Sequence, residues 1–387
     1  MKQRTTRLRI LMHVVTALYG LACLWLFYKQ SVAVLSDLGA SPYQSDLPLH
    51  ISMIIEDGWY YSFTAFAYKL LHILFGKTTI GIALFLGIVA YGTIYATEAL
   101  VCHLGRMQEK SWYSLLLALS LNLVMPVYIR SVGAYRYVSY QAPNVWHNST
   151  YVCMKLFALL TFLTYLKLEE KYREGITLKE WCIFAGLNII CTGIKPSFLL
   201  AFSPVMGIFL LVDLFRKVKF TRILAFGSAL LPSGLVILWQ NMVLFGDDTG
   251  NGIAFDPWYT FSLHASVPKL AVICSALFCG LVLLLTLKDI VKEKKYLFIT
   301  CMAALGFLEA LCLTEQGNRA VDGNFLWGYS FCLFVLFAVC AVKWLKMPRK
   351  GAGLAAKIGL ALVYGWHLYC GLYFFISLVG GASYWMQ

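Results

Sequence analysis

Charged residues are scarce in this sequence, and the long polar stretches of a soluble domain are absent. Only 13% of the 387 residues are Asp, Glu, Lys or Arg, about half the share typical of soluble globular domains. No polar block is long enough to form a separate domain, and no internal repeat is visible. These absences exclude a soluble enzyme and leave room for a single domain over residues 1–387.

The twelve cysteines lack the spacing that metal or redox chemistry requires. The sequence contains no Cys-x-x-Cys pair and no arrangement of Cys and His suited to zinc. All twelve lie in or beside apolar runs. We interpret them as small core residues and predict no metal or other cofactor from them.

Hydrophobic residues make up 60% of the chain, and the mean hydropathy is +0.71. Apolar runs long enough to cross a bilayer recur along the whole sequence. The sequence therefore predicts an all-α polytopic membrane protein with about eleven transmembrane helices, the first of them an uncleaved signal anchor. The predicted spans lie near 10–28, 79–102, 113–128, 151–167, 181–194, 197–214, 221–245, 270–287, 297–314, 325–342 and 358–378.

Lys and Arg are distributed unevenly between the predicted loops. With the N-terminus inside the cell, the cytoplasmic segments hold 23 of the 32, as the positive-inside rule requires. This bias predicts a multi-pass protein of the cell membrane with a cytoplasmic N-terminus and an extracytoplasmic C-terminus. It also explains the net charge of +13 without nucleic acid as a partner. Glu98 and Asp213, near inner span ends, are expected to be solvated.

The first extracytoplasmic loop, 29–78, contains the stretch Ser45-Asp-Leu-Pro-Leu-His50. Ser45 suits a helix cap and a proline is tolerated in the first turn, so a helix is predicted here. Asp46 and His50 would then lie one turn apart on one face. Asp57 lies roughly 16 Å further along the axis, so the two acids form no touching pair. An amphipathic surface helix with solvated acids fits the same pattern.

Residues 58–76 combine seven aromatic residues with Lys69 and His72 on an otherwise apolar helix. A crossing here would invert every later loop and destroy the charge bias. Aromatic residues mixed with polar ones are typical of the headgroup region. The pattern therefore predicts an interfacial helix that lies along the outer leaflet.

The sequence has three further outer loops of distinct content, which are 129–150, 246–268 and 315–324. The loop 129–150 mixes cations with rings, namely Arg130, Arg136, Trp146 and His147, which favours substrate binding but is also typical of membrane anchors. Its Asn148-Ser-Thr is formally a glycosylation sequon. The loop 246–268 carries Asp247 and Asp248 without the ligand register of a calcium loop, so we interpret it as a flexible acidic loop.

The remaining polar signals lie at the ends of spans. Lys195-Pro196 separates two spans, and Lys195 either faces a cavity or extends to the membrane surface. The last outer loop concentrates polar groups beside a tryptophan: Glu315, Arg319, Asp322, Asn324 and Trp327.

In layout the chain resembles the GT-C superfamily of membrane glycosyltransferases, in a bacterial branch. The resemblance is carried by Ser45-Asp46-Leu-Pro-Leu-His50, the aromatic helix that ends at Phe75-Gly76, Lys195-Pro-Ser, and Glu315 through Gly328. It implies an inverting enzyme of cell-envelope polysaccharide biosynthesis that uses a polyprenyl-phosphate-linked sugar donor at the outer face of the bilayer. The acceptor is a glycan, a lipid or a protein.

The resemblance also implies roles for particular residues. Asp46 is the expected general base, with His50 orienting it or contacting the acceptor. The expected substrate-binding residues are Arg130, Arg136, Trp146, His147, Lys195, Glu315, Arg319, Asn324 and Trp327. The chain departs from the better-known branches because Asp46 is a single acid and not part of an acidic pair. No divalent metal is therefore indicated.

Other functions remain open at the level of sequence. A transporter or flippase of lipid-linked or anionic solutes would explain Lys195 and the arginines, but such proteins place their sites near the midplane and often contain repeats. A polysaccharide polymerase or ligase would share the lipid-linked substrate but usually has its large outer loop late in the chain. A purely structural subunit is the third alternative.

Overall fold

The protein forms a bundle of α-helices with one short two-stranded ribbon. The computed structural model describes residues 2–34, 41–76, 78–107, 111–245, 252–348 and 350–387. The helices are α1 (Lys2–Ser31), α2 (Leu47–Ile55), α3 (Phe63–Phe75), α4 (Ile80–Gly105), α5 (Trp112–Leu121), α6 (Ser149–Glu169), α7 (Leu178–Ile194), α8 (Ser197–Phe215), α9 (Phe220–Gly227), α10 (Leu231–Phe245), α11 (Tyr259–Ser262), α12 (Pro268–Ile290), α13 (Lys294–Cys312), α14 (Leu326–Lys346) and α15 (Gly351–Val379). The antiparallel strands are β1 (Ile253–Phe255) and β2 (Leu313–Glu315).

Nine helical segments of the described chain are long and apolar enough to cross a membrane. The predicted all-α multi-pass architecture is confirmed at this level. The predicted spans 113–128 and 181–194 correspond to the shorter helices α5 and α7, of 10 and 17 residues. The number of eleven crossings therefore stays a prediction.

The chain after α5 is extended where a longer span was predicted. Pro126 disfavours helical backbone at the residue before it, and α5 ends at Leu121. The next residues run through the bundle interior, where backbone carbonyls need internal partners. Asn144 Nδ2 donates to the carbonyls of Leu121 and Val124 at 2.9 and 2.7 Å. A buried amide side chain thus replaces the missing helical hydrogen bonds.

A histidine in α15 supports the same extended segment. His367 Nδ1 lies 2.7 Å from the carbonyl oxygen of Met125, and the backbone N–H of Phe278 donates to His367 Nε2 at 3.3 Å. Gly371 allows the approach, because a Cβ there would lie 1.5 Å from the carbonyl oxygen of Leu123. The buried histidine satisfies irregular backbone on two sides and has a structural role.

One end of the bundle contains most of the ion pairs of the described residues, and we call it the basic end. Arg9 Nη2 donates to Glu98 at 2.9 Å, joining the start of α1 to the end of α4. Asp213 at the end of α8 accepts from Arg173 at 2.9 Å and from Lys294 at 2.6 Å. The expectation that Glu98 and Asp213 are solvated was wrong, since both are fully buried. Each carboxylate is tolerated there because a cation neutralises it.

The opposite end, the site end, contains α2, α3 and the starts of α6, α8 and α14. Helix α3 buries Ala65 and Tyr68, while Leu70, Ile73 and Leu74 on its other face are more than half exposed. At 1.5 Å per residue its 13 residues cover about 20 Å, less than the ~30 Å hydrocarbon core.

We predict that α3 does not cross the membrane. Reporter fusions placed after Gly58 and after Gly76, with activity read in intact cells, should indicate the same side. A fusion within the loop between α8 and α9, at Lys217, serves as the marker for the opposite side. Opposite reports from the two positions that flank α3 would establish an additional crossing.

Candidate functional site

A cavity of about 850 Å³ lies at the site end. Its walls come from the first loop, the segment before α6, the α7–α8 turn, α10, the loop after β2 and the residues after α15. Eight of the predicted site residues line it: Asp46, His50, His147, Lys195, Glu315, Arg319, Asn324 and Trp327. Residues predicted from four separate stretches of sequence therefore meet in one space.

Asp46 occupies the N-cap position of α2, where the prediction placed Ser45. Its side chain does not cap that helix and points to the segment before α6 instead. Asp46 Oδ2 accepts a hydrogen bond from Asn148 Nδ2 at 2.7 Å, and its backbone N–H donates to the carbonyl of His147 at 3.2 Å. His50 lies one turn further along, as predicted, since its N–H donates to the carbonyl of Asp46 at 3.0 Å. Asp57 lies beyond the end of α2 and is exposed.

Two of the three histidines that line the cavity, His50 and His147, are held in their neutral form by burial. Burial lowers the pKa of His50, and it lowers the pKa of His147 to about 4, against the opposing effect of Asp46 on both. His50 Nδ1 is 3.1 Å from Ser149 Oγ, and the His147 ring stacks on Tyr384 with centroids 4.1 Å apart. Neither histidine therefore supplies positive charge to the cavity near neutral pH.

Lys195 is the cation between two helices. Because Pro196 follows, Lys195 adopts an extended backbone (φ −159°, ψ 124°) that ends α7 and turns the chain into α8. Its Nζ is 3.5 Å from Thr150 Oγ1 and 4.8 Å from the centroid of the Trp327 ring. Burial lowers the pKa of Lys195 to about 8, although the carboxylate of Asp46 acts in the opposite direction.

Glu315 organises the loop that begins at β2. Its Oε2 accepts from Asn324 Nδ2 at 2.6 Å and from Arg319 Nε at 3.2 Å, while Asn324 Oδ1 accepts from Trp327 Nε1 at 3.2 Å. Pairing with Ile253 in β1 fixes the backbone of Glu315. The charge of Arg319 is thus compensated by a neighbouring carboxylate, whereas Lys195 contacts a hydroxyl and a ring.

Among the described helices of eight or more residues, four begin at this cavity: α2, α6, α8 and α14. The first N–H groups of a helix have no partner within it and carry partial positive charge. The starts of α8 and α14 touch because residue 328 is glycine, where a Cβ would lie 2.8 Å from the carbonyl oxygen of Ser197. Together with Lys195, these helix ends favour an anionic ligand.

The residues after α15 form a wall that sequence reasoning missed. Tyr384 and Trp385 line the cavity, and the backbone N–H of Arg136 donates to the carbonyl of Met386 at 3.0 Å. The Arg136 guanidinium stacks 4.1 Å from the Tyr128 ring centroid and does not line the cavity. The hydrogen bond between Arg136 and Met386 joins residues 250 positions apart, and no local sequence pattern predicts such a contact.

Two other predicted site residues, Trp146 and Arg130, lie outside the cavity lining. Trp146 is buried outside the cavity lining, with Nε1 donating to Tyr19 Oη at 3.2 Å. Arg130 is exposed and lies outside the lining as well. Asp247 and Asp248 of the acidic loop lie outside the described residues.

Asn148 and Asp322 are cavity residues that the sequence analysis did not place in the site. Asn148 was considered only as a sequon, but it is 5% exposed and its Nδ2, the atom a glycan would modify, is bound to Asp46. The Ser/Thr pattern after Asn148 is a helix start, and that is the signal that could have revealed its capping role.

Among the described residues, no group of three or more His, Cys, Asp or Glu side chains is arranged to hold a metal ion. The comparisons with known proteins add no family: no protein-family model matches the sequence, and no curated protein matches it significantly.

The lowered pKa of Lys195 predicts selective acylation. At pH 8 about half of its amines are neutral, so acetic anhydride should modify Lys195 faster than the exposed Lys269 at the same end, as measured by peptide mass spectrometry. Asp46→Asn removes a carboxylate that favours the protonated amine, so it should increase the rate at Lys195 and leave that at Lys269 unchanged. Equal rates at both lysines between pH 7 and pH 9 would contradict the assigned environment.

Proposed function

We propose that this protein is an integral membrane glycosyltransferase of the GT-C type that uses a polyprenyl-phosphate-linked sugar donor at the extracytoplasmic face. The observation that carries the proposal is one cavity lined by both an aspartate, Asp46, and a lysine, Lys195. Among the described residues, the side chain of Asp46 is bound through Oδ2 to Asn148. A base for the acceptor and a cation for the leaving group are the two requirements of this transfer.

In the proposed reaction Asp46 takes the proton of an acceptor hydroxyl. The hydroxyl oxygen attacks the anomeric carbon, and the bond from that carbon to the phosphate oxygen breaks with inversion. The departing polyprenyl phosphate keeps the electron pair. Lys195 and the starts of α6, α8 and α14 stabilise its negative charge, since preorganised positive groups need no reorganisation as that charge develops. The acceptor belongs to a glycan, a lipid or a protein.

The cavity also has the mixed lining that such a donor requires. Leu49 and Met53 of α2 and Ile237 and Leu244 of α10 contribute apolar surface, which suits an isoprenoid chain. Trp59 and Trp327 offer ring faces to a sugar. The volume of about 850 Å³ lies within the usual range for small-molecule sites, ~300–1,000 Å³.

The charge distribution supports the proposed orientation in the cell membrane. Of the 23 lysines and arginines predicted to be cytoplasmic, those that the structure describes belong to the loops and helix ends of the basic end, which supports a cavity that faces outward. With eleven crossings, the N-terminus is cytoplasmic and the C-terminus extracytoplasmic. Helix α3 lies at the outer interface in this arrangement.

Asp46→Asn should abolish most of the transfer activity. The amide keeps the shape of the side chain but cannot accept the proton, so turnover should fall about 10²–10⁴-fold, the usual scale for general base catalysis. The protein in lipid nanodiscs is offered a panel of polyprenyl-phosphate-linked sugars with an envelope extract as acceptor, and release of polyprenyl phosphate is measured.

The matched control is Asp57→Asn, an exposed acid beyond the end of α2, which should stay within about twofold of the wild-type protein. Near wild-type turnover of Asp46→Asn, with correct folding, would overturn the assignment of the base. If no donor releases polyprenyl phosphate but the protein moves lipid-linked sugars between leaflets, a flippase is the correct function.

Lys195→Met should weaken the contact with the leaving phosphate while preserving the length of the side chain. Loss of one charged group that stabilises developing negative charge should lower turnover about 10²–10³-fold. Binding of a short-chain polyprenyl phosphate, measured by calorimetry, should weaken as well. In the wild-type protein this affinity should fall as pH rises past about 8, where burial places the pKa of Lys195.

Lys269→Met is the control for the general effect of a lost positive charge at the site end. Arg319→Met should cost less than Lys195→Met in binding, because Glu315 already compensates Arg319. The opposite order of these two variants would move the phosphate site from Lys195 to Arg319.

A further inference from the structure

We infer that Asn148 is a positioning residue that holds the carboxylate of Asp46 in one orientation by tying it to the first turn of α6. This inference rests on the proposed function, in which Asp46 is the base. Asn148 is 5% exposed, and both ends of its amide are engaged. A measurement of stability alone cannot reveal this role, because Asn148 also caps α6 and its loss could destabilise the protein for that reason.

The oxygen of the amide is fixed by the helix. Asn148 Oδ1 accepts from the backbone N–H of Tyr151 at 2.9 Å and from Thr150 Oγ1 at 2.8 Å. Two donors can face only an oxygen, so the orientation of the amide is determined. Its NH₂ group must therefore point away from the helix, and Nδ2 donates to Asp46 Oδ2 at 2.7 Å.

A second bond fixes the backbone of the same residue. The N–H of Asp46 donates to the carbonyl of His147 at 3.2 Å, so adjacent residues of the α6 segment hold both the main chain and the side chain of Asp46. Helix α6 is 21 residues long and largely buried, which makes it a rigid support. The short helix α2, with 9 residues, is aligned by it.

The arrangement leaves one carboxylate oxygen for chemistry. Within the described residues, Oδ2 is occupied by Asn148, and Asp46 does not use its side chain to cap α2. Oδ1 is thus the oxygen available to a substrate proton. An amide is a suitable holder because it donates a hydrogen bond without adding a positive charge that would weaken a base.

Two variants separate positioning from capping. Asn148→Ser and Asn148→Asp both keep a side chain that caps well, but neither can donate the amide hydrogen bond to Asp46. Asn148→Ser should keep the unfolding temperature and the KM for a polyprenyl-phosphate-linked sugar, and lower kcat about 10- to 100-fold, the scale of a misplaced catalytic group. Asn148→Asp places a second carboxylate beside Asp46 and should move the acid limb of the pH–kcat profile to higher pH. Thr177→Ala, which removes the cap of α7 at the basic end, shows the effect of a lost cap alone.

A double variant supplies the decisive comparison. If Asn148 acts through Asp46, adding Asn148→Ser to Asp46→Asn should lower the residual turnover no further. An additional loss of tenfold or more, or a kcat of Asn148→Ser within twofold of wild type, overturns the positioning role. If Asp46→Asn is inactive while Asn148→Ser is unaffected, only this inference fails. If Asp46→Asn is fully active, the proposed function itself fails.

Discussion

The site depends on one constraint: backbone groups within an apolar bundle must find hydrogen-bond partners inside the protein. Helices begin and end only where side chains or a cavity can satisfy their free N–H and C=O groups. Helices α2, α6, α8 and α14 begin at the cavity. Asn148 caps the first turn of α6, whereas the N-cap residues of α2, α8 and α14 make no capping hydrogen bond with their side chains. The break between α7 and α8 at Lys195-Pro196 belongs to the same arrangement. The partial positive charge at the cavity is therefore a consequence of where these helices begin.

The buried carboxylates at the basic end and Asp46 at the site end have different hydrogen-bonding partners. At the basic end Asp213 is buried between Arg173 and Lys294, and Glu98 is bound by Arg9. A cation next to a carboxylate holds it ionised but reduces its ability to accept a proton. At the site end Asp46 is bound by a neutral amide, and Lys195 contacts a hydroxyl and a ring. The contrast favours a structural role for the acids of the basic end and a chemical one for Asp46.

Hydropathy and loop charge were sufficient to predict the helical bundle and to place Asp46, Lys195 and Glu315 at the same end, because burial in a bilayer imposes long apolar runs. They were insufficient for α5, since the end of that helix depends on Asn144 and His367 from distant segments. Arg136 was predicted to bind substrate on account of its charge, yet it holds the chain beside Met386. Asn148 was overlooked because its partner, Asp46, is 102 residues away. When the role of a side chain depends on a residue far away in the sequence, the neighbouring residues give no pattern from which that role can be predicted.

The charge state of Lys195 links binding to chemistry in the proposed reaction. Burial lowers its pKa to about 8, so the amine is mostly protonated at neutral pH but only by a modest margin. A phosphate that enters the cavity brings negative charge close to the amine and favours the protonated form. The bound phosphate therefore favours the protonated form of Lys195, which in turn stabilises the phosphate. His50 and His147 stay neutral and add no positive charge to the cavity. As the sugar–phosphate bond breaks, the charge on the departing phosphate grows, and the interaction with Lys195 strengthens at the moment when the transition state requires it.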